Sequence, residues 1–228
     1  MGLFIALSGI AGASRYEVER CLRDIATNGA GTFELASSDV DELDVLVISE
    51  ALGDRISILY PGDFMEWDEV SQQMSKALRK PVFSFHIHDG DLWMYRLFIE
   101  GEGVDSFNPI PEYWGDVSQE ESTMWAGNPS RIAHHWPDLK EEDVKNYLIH
   151  WKVEDVSGHN RKAYPDDEYC IGEAWQLCDF MRRLGLVYPV DEQGTRLGDK
   201  FVFSTSDSPN RSEAGHRDTS PKPWWKFW

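Results

Sequence analysis

The chain has 228 residues, 41% hydrophobic and 27% charged, enough for one packed domain or for a domain with a small appendage. Its 40 acidic residues against 22 basic ones leave a net charge of −18, which argues against nucleic-acid binding by the folded body. No apolar run approaches the roughly 18 residues of a spanning helix, and three cysteines (Cys21, Cys170, Cys178) are too few for a disulfide framework, so a reduced cytoplasmic protein is expected.

The uncharged start contains Ala11-Gly12-Ala13, which has the form of a signal cleavage site, but no basic residue precedes it. It reads instead as a buried first strand, Leu3 to Leu7, entering a Gly-rich turn. Ser14-Arg15-Tyr16-Glu17 has capping-box form, and Val18, Cys21, Leu22 and Ile25 then recur on one helical face as far as Asn28-Gly29. Strand-like runs follow at Thr32 to Ala36, Leu43 to Ser49 and Arg55 to Tyr60. A second helix face is marked by Trp67, Val70, Met74 and Leu78, followed by strands at Val82 to His88, Leu92 to Ile99 and Val104 to Phe107, with Asp89-Gly90 and Gly101-Glu102-Gly103 as turns.

Beyond Asn108-Pro109-Ile110-Pro111 the pattern changes. Helix starts are signalled by Ser118 with Glu121, by Asn128-Pro129, and by Asp138 with Glu141. Val144, Tyr147, Leu148 and Trp151 form the apolar face of the last of these. A loop from Glu154 to Tyr169 leads to a final helix marked by Ala174, Leu177, Cys178, Met181 and Leu184, and Lys200 to Ser204 reads as a strand rejoining the sheet. Residues 205–228 carry almost nothing apolar before Trp224-Trp225-Lys226-Phe227-Trp228, and read as a disordered tail with an aromatic terminus.

The element order predicts an α+β fold: an antiparallel sheet built from two helix-plus-three-strand units, covered by helices on one face, with a helical C-terminal region. Residues 1–107 form the sheet domain in this reading, and 108–204 a mainly helical region packed on it.

Two patterns carry the chemistry. In Phe85-His86-Ile87-His88-Asp89-Gly90-Asp91, His86 and His88 share one face of a strand and Asp89 or Asp91 would add a carboxylate, a ligand set for zinc or manganese. The His-x-His pair resembles that of metallo-hydrolases, although Gly90 and Asp91 stand where the metallo-β-lactamase pattern has Asp-His. The second pattern is the stretch Asp89 to Glu121, with nine acidic residues, one basic residue (Arg96) and six large aromatics. Its members Glu100, Glu102, Asp105, Glu112, Tyr113, Trp114 and Asp116 suit a surface that attracts a basic protein by charge and anchors it with rings.

Other clusters read as structural. Pro165-Asp166-Asp167-Glu168 reads as a solvated or helix-leading loop, and His134-His135 as a favourable pair at a helix C-terminus. Gly9 to Ser14 lacks the Lys of a phosphate loop and the third Gly of a dinucleotide fingerprint.

The leading functional expectation is therefore an acidic cytoplasmic binding protein without a cofactor that docks a basic partner, as an immunity-type inhibitor covers a toxin or nuclease. The alternatives are a metal-dependent hydrolase using His86 and His88, and a scaffold protein recruited to a partner or membrane surface by Trp224, Trp225, Phe227 and Trp228.

Overall fold

The computed structural model describes residues 2–152 and 161–205. Eight strands, β1 (Ile5–Ala11), β2 (Phe33–Leu35), β3 (Leu46–Ile48), β4 (Arg55–Leu59), β5 (Val82–His88), β6 (Leu92–Ile99), β7 (Glu102–Phe107) and β8 (Asp199–Phe203), form one sheet in the order β2-β8-β3-β4-β1-β5-β6-β7. Every neighbouring pair is antiparallel. The fold is α+β, with an antiparallel sheet as the sequence predicts. Its two units flank β1: helix α1 (Arg15–Asn28) leads into β2, β3 and β4 on one side, and α2 (Trp67–Leu78) into β5, β6 and β7 on the other. The late strand β8 is inserted between β2 and β3, where it ties the chain's far end into the first unit.

Local chemistry explains the elements. Ser14 and Glu17 form the expected reciprocal cap, which satisfies backbone N–H groups that a helix start leaves without partners. The strand β1 starts later than expected and runs through Gly9 to Ala11. Gly9 pairs with Ser57 and Phe83, and a Cβ there would collide with Leu186, so the missing side chain lets the far layer close on the sheet.

Strands that are apolar on both sides require cover on both faces. The expectation of helices on one face is thus corrected. On the first face α1 and α2 bury Val18, Leu22, Val70 and Met74 against Ile10, Ile56, Ile58 and Phe201. On the second, Phe83, Phe85, Trp93, Tyr95 and Phe107 pack against Ile132, Trp136, Tyr147 and Phe180. The connection between these layers passes around the edge strand β7. A 3-10 turn (Pro111–Trp114) and α3 (Gln119–Met124) lie on the α2 side, where Ser106 Oγ donates to the Met124 carbonyl. The chain then crosses the edge at Ala126 and Gly127, whose contacts with Phe107 and Ser106 cover an otherwise open strand.

The second layer carries α4 (Pro129–His135), α5 (Glu141–Val144) and α6 (Gln176–Arg183), joined by long irregular stretches. Helix α5 is shorter than the apolar spacing suggests: it ends at Val144, and Trp151 reaches the core from a loop through its N–H bond to the Pro109 carbonyl. Its N-cap is Lys140, whose N–H is accepted by Asp143, while Asp138 sits outside the helix with φ 61°. Among the described residues, no helix is long and apolar enough to cross a membrane.

Candidate functional site

Strand alternation places Ser84, His86 and His88 on the α2 side of the sheet, with Arg96 and Met94 beside them across the β5–β6 hairpin. His86 is buried and stacks on Trp67, with ring centroids 4.6 Å apart and planes 12° from parallel. Its Nε2 lies 3.3 Å from His88 Nδ1. Burial, reinforced by the neighbouring His88, pushes His86 down to about 3, so its imidazole is neutral at ordinary pH. His88 is also lowered by burial, with Asp89 and Asp91 opposing the shift. Rings surround it: Phe4 and Trp114 meet it edge-on at 4.9 Å, and Tyr113 at 5.7 Å. Among the described residues, no group of three His, Cys, Asp or Glu side chains converges to hold a metal.

The acidic residues read together in the sequence separate into three places. Glu100 and Glu102 stand at the β6–β7 turn, where Glu100 forms a 3.7 Å ion pair with Arg79 just beyond α2. Asp89, Asp91, Glu112 and Asp116 gather at the opposite end of the hairpin, roughly 25 Å away along the eight residues of β6. There Tyr113 Oη donates to Asp91 Oδ2 over 2.6 Å and pins the 3-10 turn to the β5–β6 turn. Partial burial and this carboxylate push the Tyr113 hydroxyl up to about 12. Asp105 corrects the sequence reading: it is buried, accepts from Tyr95 Oη at 2.7 Å and from the Asn128 N–H at 3.1 Å, and faces Arg131. The bulge between Leu97 and Phe98 and the edge crossing turn it inward, so it fastens β7 and cannot meet a partner.

What remains is one acidic and aromatic patch. Asp89, Asp91, Glu112, Asp116, Glu120 and Glu121 are exposed, and Phe4, Tyr113, Trp114 and Met124 offer apolar surface among them. The one basic residue of the stretch, Arg96, is turned into the sheet side of α2, where its guanidinium lies 3.6 Å from Asp68. Asp68 also accepts from Ser84 Oγ, and burial raises its pKa despite Arg96. Trp67, Asp68, Ser84, His86, Met94, Tyr95, Arg96 and Trp125 line a small cleft of about 10 Å³, room for roughly one water molecule. Phe4, Asp68 and Trp125 are members of this site that sequence reasoning missed. Asp68 follows a residue already assigned to the helix face, and Ser84 pairs with Arg96 in the hairpin register, so a register argument would have brought the ion pair into view.

The other clusters are structural. Asp167, expected in a solvated loop, is buried and accepts from Tyr147 Oη at 2.6 Å and the Tyr164 N–H at 2.8 Å. Asp179 accepts the N–H groups of Glu168 and Tyr169, Arg182 bridges Asp167 and Asp179, and Arg183 pairs with Asp166 and Asp167. Burial pushes Cys21 up to about 11 and Cys178 up to about 12, which leaves both thiols protonated and unreactive. His134 and His135 occupy the last turn of α4, as expected. The aromatic tail residues Trp224, Trp225, Phe227 and Trp228 lie outside the described residues.

No protein-family model, no curated protein and no solved structure matches the chain.

Proposed function

We propose that the protein is an acidic cytoplasmic binding protein that docks a basic protein partner on the patch formed by Asp89, Asp91, Glu112, Tyr113, Trp114 and Asp116, in the manner of an immunity-type inhibitor of a toxin or nuclease. The observation that carries this reading is the concentration of exposed carboxylates around Phe4, Tyr113 and Trp114 while Arg96 is withdrawn against Asp68. Like charge unpaired at a surface raises the local potential and speeds the encounter with an oppositely charged protein. Partly exposed rings then supply the desolvated contacts that hold a complex. The free cysteines Cys21, Cys170 and Cys178 suit a reducing compartment. The test is capture from the native lysate with wild-type protein and with Glu112→Lys/Asp116→Lys as baits. A basic protein retained by the first, lost on the second and released by salt supports the reading. Equal capture by both baits contradicts it.

One observation supports a second reading, a zinc- or manganese-dependent hydrolase. The 3.3 Å between His86 Nε2 and His88 Nδ1 is also about the separation of two nitrogens on one tetrahedral zinc with bonds near 2.0 to 2.1 Å. The docking reading is preferred because a catalytic zinc takes three protein ligands, and no third one joins this pair among the described residues. Metal content of the purified protein and of His88→Ala separates the two.

A further inference from the structure

The chain leaves the sheet at the end where the patch lies. Phe203 closes β8 opposite Phe33, and the register carried from β8 through β3, β4 and β1 to β5 puts Ser204 at the same end of the sheet as Phe4 and the β5–β6 turn. Four to five strand spacings of about 4.8 Å, or roughly 19 to 24 Å, separate β8 from β5 and β6. Exposed apolar side chains mark the interval: Leu43 shortly before β3, Met65 between β4 and α2, and Phe4 just before β1 all stand at this end. Eighteen residues, 206–223, separate Thr205 from Trp224. A stretch of that length can span about 60 Å, more than twice the distance to the patch. Beyond it, Lys222-Pro223-Trp224-Trp225-Lys226-Phe227-Trp228 places two lysines and four aromatic rings in seven residues, with no acidic side chain. The patch has the complementary chemistry, since its exposed carboxylates surround the apolar surface of Phe4, Tyr113 and Met124.

From the shared end of the sheet, the reach and the charge complementarity we infer that the segment Lys222–Trp228 docks on the acidic patch of its own chain, its rings covering the apolar surface there and its lysines pairing with carboxylates among Asp89, Asp91, Glu112 and Asp116. A tethered segment meets a site within its reach at an effective concentration of order mM, so a contact with a Kd of only about 0.1 mM stays mostly closed. Two lysines neutralise only part of the charge of six exposed carboxylates, so the covered patch remains acidic and still attracts a basic partner, which displaces the segment. The inference uses the patch of the docking reading but requires no partner.

The test is zero-length carbodiimide crosslinking of the dilute full-length protein at low salt, with the lysine–carboxylate links of the monomer located by mass spectrometry. The expected result is that Lys222 and Lys226 link to Asp89, Asp91, Glu112 or Asp116 in preference to Glu100 and Glu102, which stand at the other end of the hairpin and are also within the tether's span. Trp224→Ser/Trp225→Ser/Phe227→Ser/Trp228→Ser keeps both lysines and should lower the yield about 10-fold. Glu112→Gln/Asp116→Asn, which leaves the segment intact, should lower the links to Asp89 and Asp91 about 3-fold. Equal yields at the two ends of the hairpin, or yields unchanged in the serine variant, mean chance encounters and overturn the inference. Links confined to crosslinked dimers overturn it too. Links that persist when the lysate yields no basic partner overturn the docking reading and leave this contact standing, whereas a captured partner with no such links does the reverse.

Discussion

Tyr113 donates its phenolic hydrogen to Asp91 over 2.6 Å, and this bond joins a turn of the sheet to the segment that returns over the same face. It brings Asp89 and Asp91 beside Glu112 and Asp116, residues more than 20 positions away in sequence. Asp105, closer to Glu112 in the chain than either, points into the protein. Proximity on the surface is thus set by the β5–β6 hairpin and not by sequence order.

That difference makes a direct prediction. Asp105→Ala leaves the buried Tyr95 hydroxyl and the Asn128 N–H without their acceptor, at a cost of about 2 kcal/mol. For a domain of this size the melting temperature should fall by about 4 to 8 °C. Glu112→Lys/Asp116→Lys should leave it within about 2 °C, because both residues are exposed. Thermal unfolding followed by circular dichroism checks this, and a stable Asp105→Ala would show that the carboxylate does not fasten β7.

His86 supplies a pH dependence of definite sign. Its folded value of about 3 lies below the ordinary value of 6.5, so the unfolded chain takes up a proton that the folded protein refuses. Stability from this group is complete above pH 6.5 and declines as the pH falls toward 3, by at most about 1.4 kcal/mol per unit. His86→Phe keeps a ring against Trp67 without the titration. Between pH 7 and pH 5, urea denaturation should show wild type losing about 1 to 2 kcal/mol more than the variant. Parallel losses would mean that His86 charges freely in the folded protein.

In the second layer, Asp179 accepts two backbone N–H groups and contacts Arg182, which closes the irregular stretch onto α6. Asp179→Ala should cost about 3 kcal/mol, since it strands those donors and leaves a guanidinium without one of its carboxylates. Asp179→Asn, which can accept one such bond, should cost less. Urea midpoints for the two variants give the order, and equal midpoints would remove Asp179 from the latch.

The sheet was legible in the sequence because its evidence is local. The runs at Val82 to His88 and Leu92 to Ile99 match β5 and β6 residue for residue, and the caps at Ser14, Ser118 and Asn128 all form. Strands apolar on both sides signalled burial, and residues 108–204 were expected to pack on the sheet, but not specifically on the face opposite α1 and α2. Helix α5 was overextended because Tyr147 and Trp151 keep a helical spacing while meeting the core from irregular backbone. The candidate site was legible only as an inventory. The hairpin register decides that His86 lies near Asp68 and Arg96, and the edge crossing at Ala126 decides that Trp125 joins them, neither of which composition or periodicity encodes.

The central claim is that a basic partner is drawn to the patch at the β5–β6 turn, and the association rate against ionic strength tests it most directly. With the captured partner, wild-type association should slow at least 10-fold between about 10 mM and 150 mM salt, as the screening length falls from about 30 Å to about 8 Å. Glu112→Lys/Asp116→Lys/Glu120→Lys should start slow at low salt and depend little on it, with dissociation changed far less than association. An association rate for the reversed protein equal to that of the wild type across this range would contradict the account.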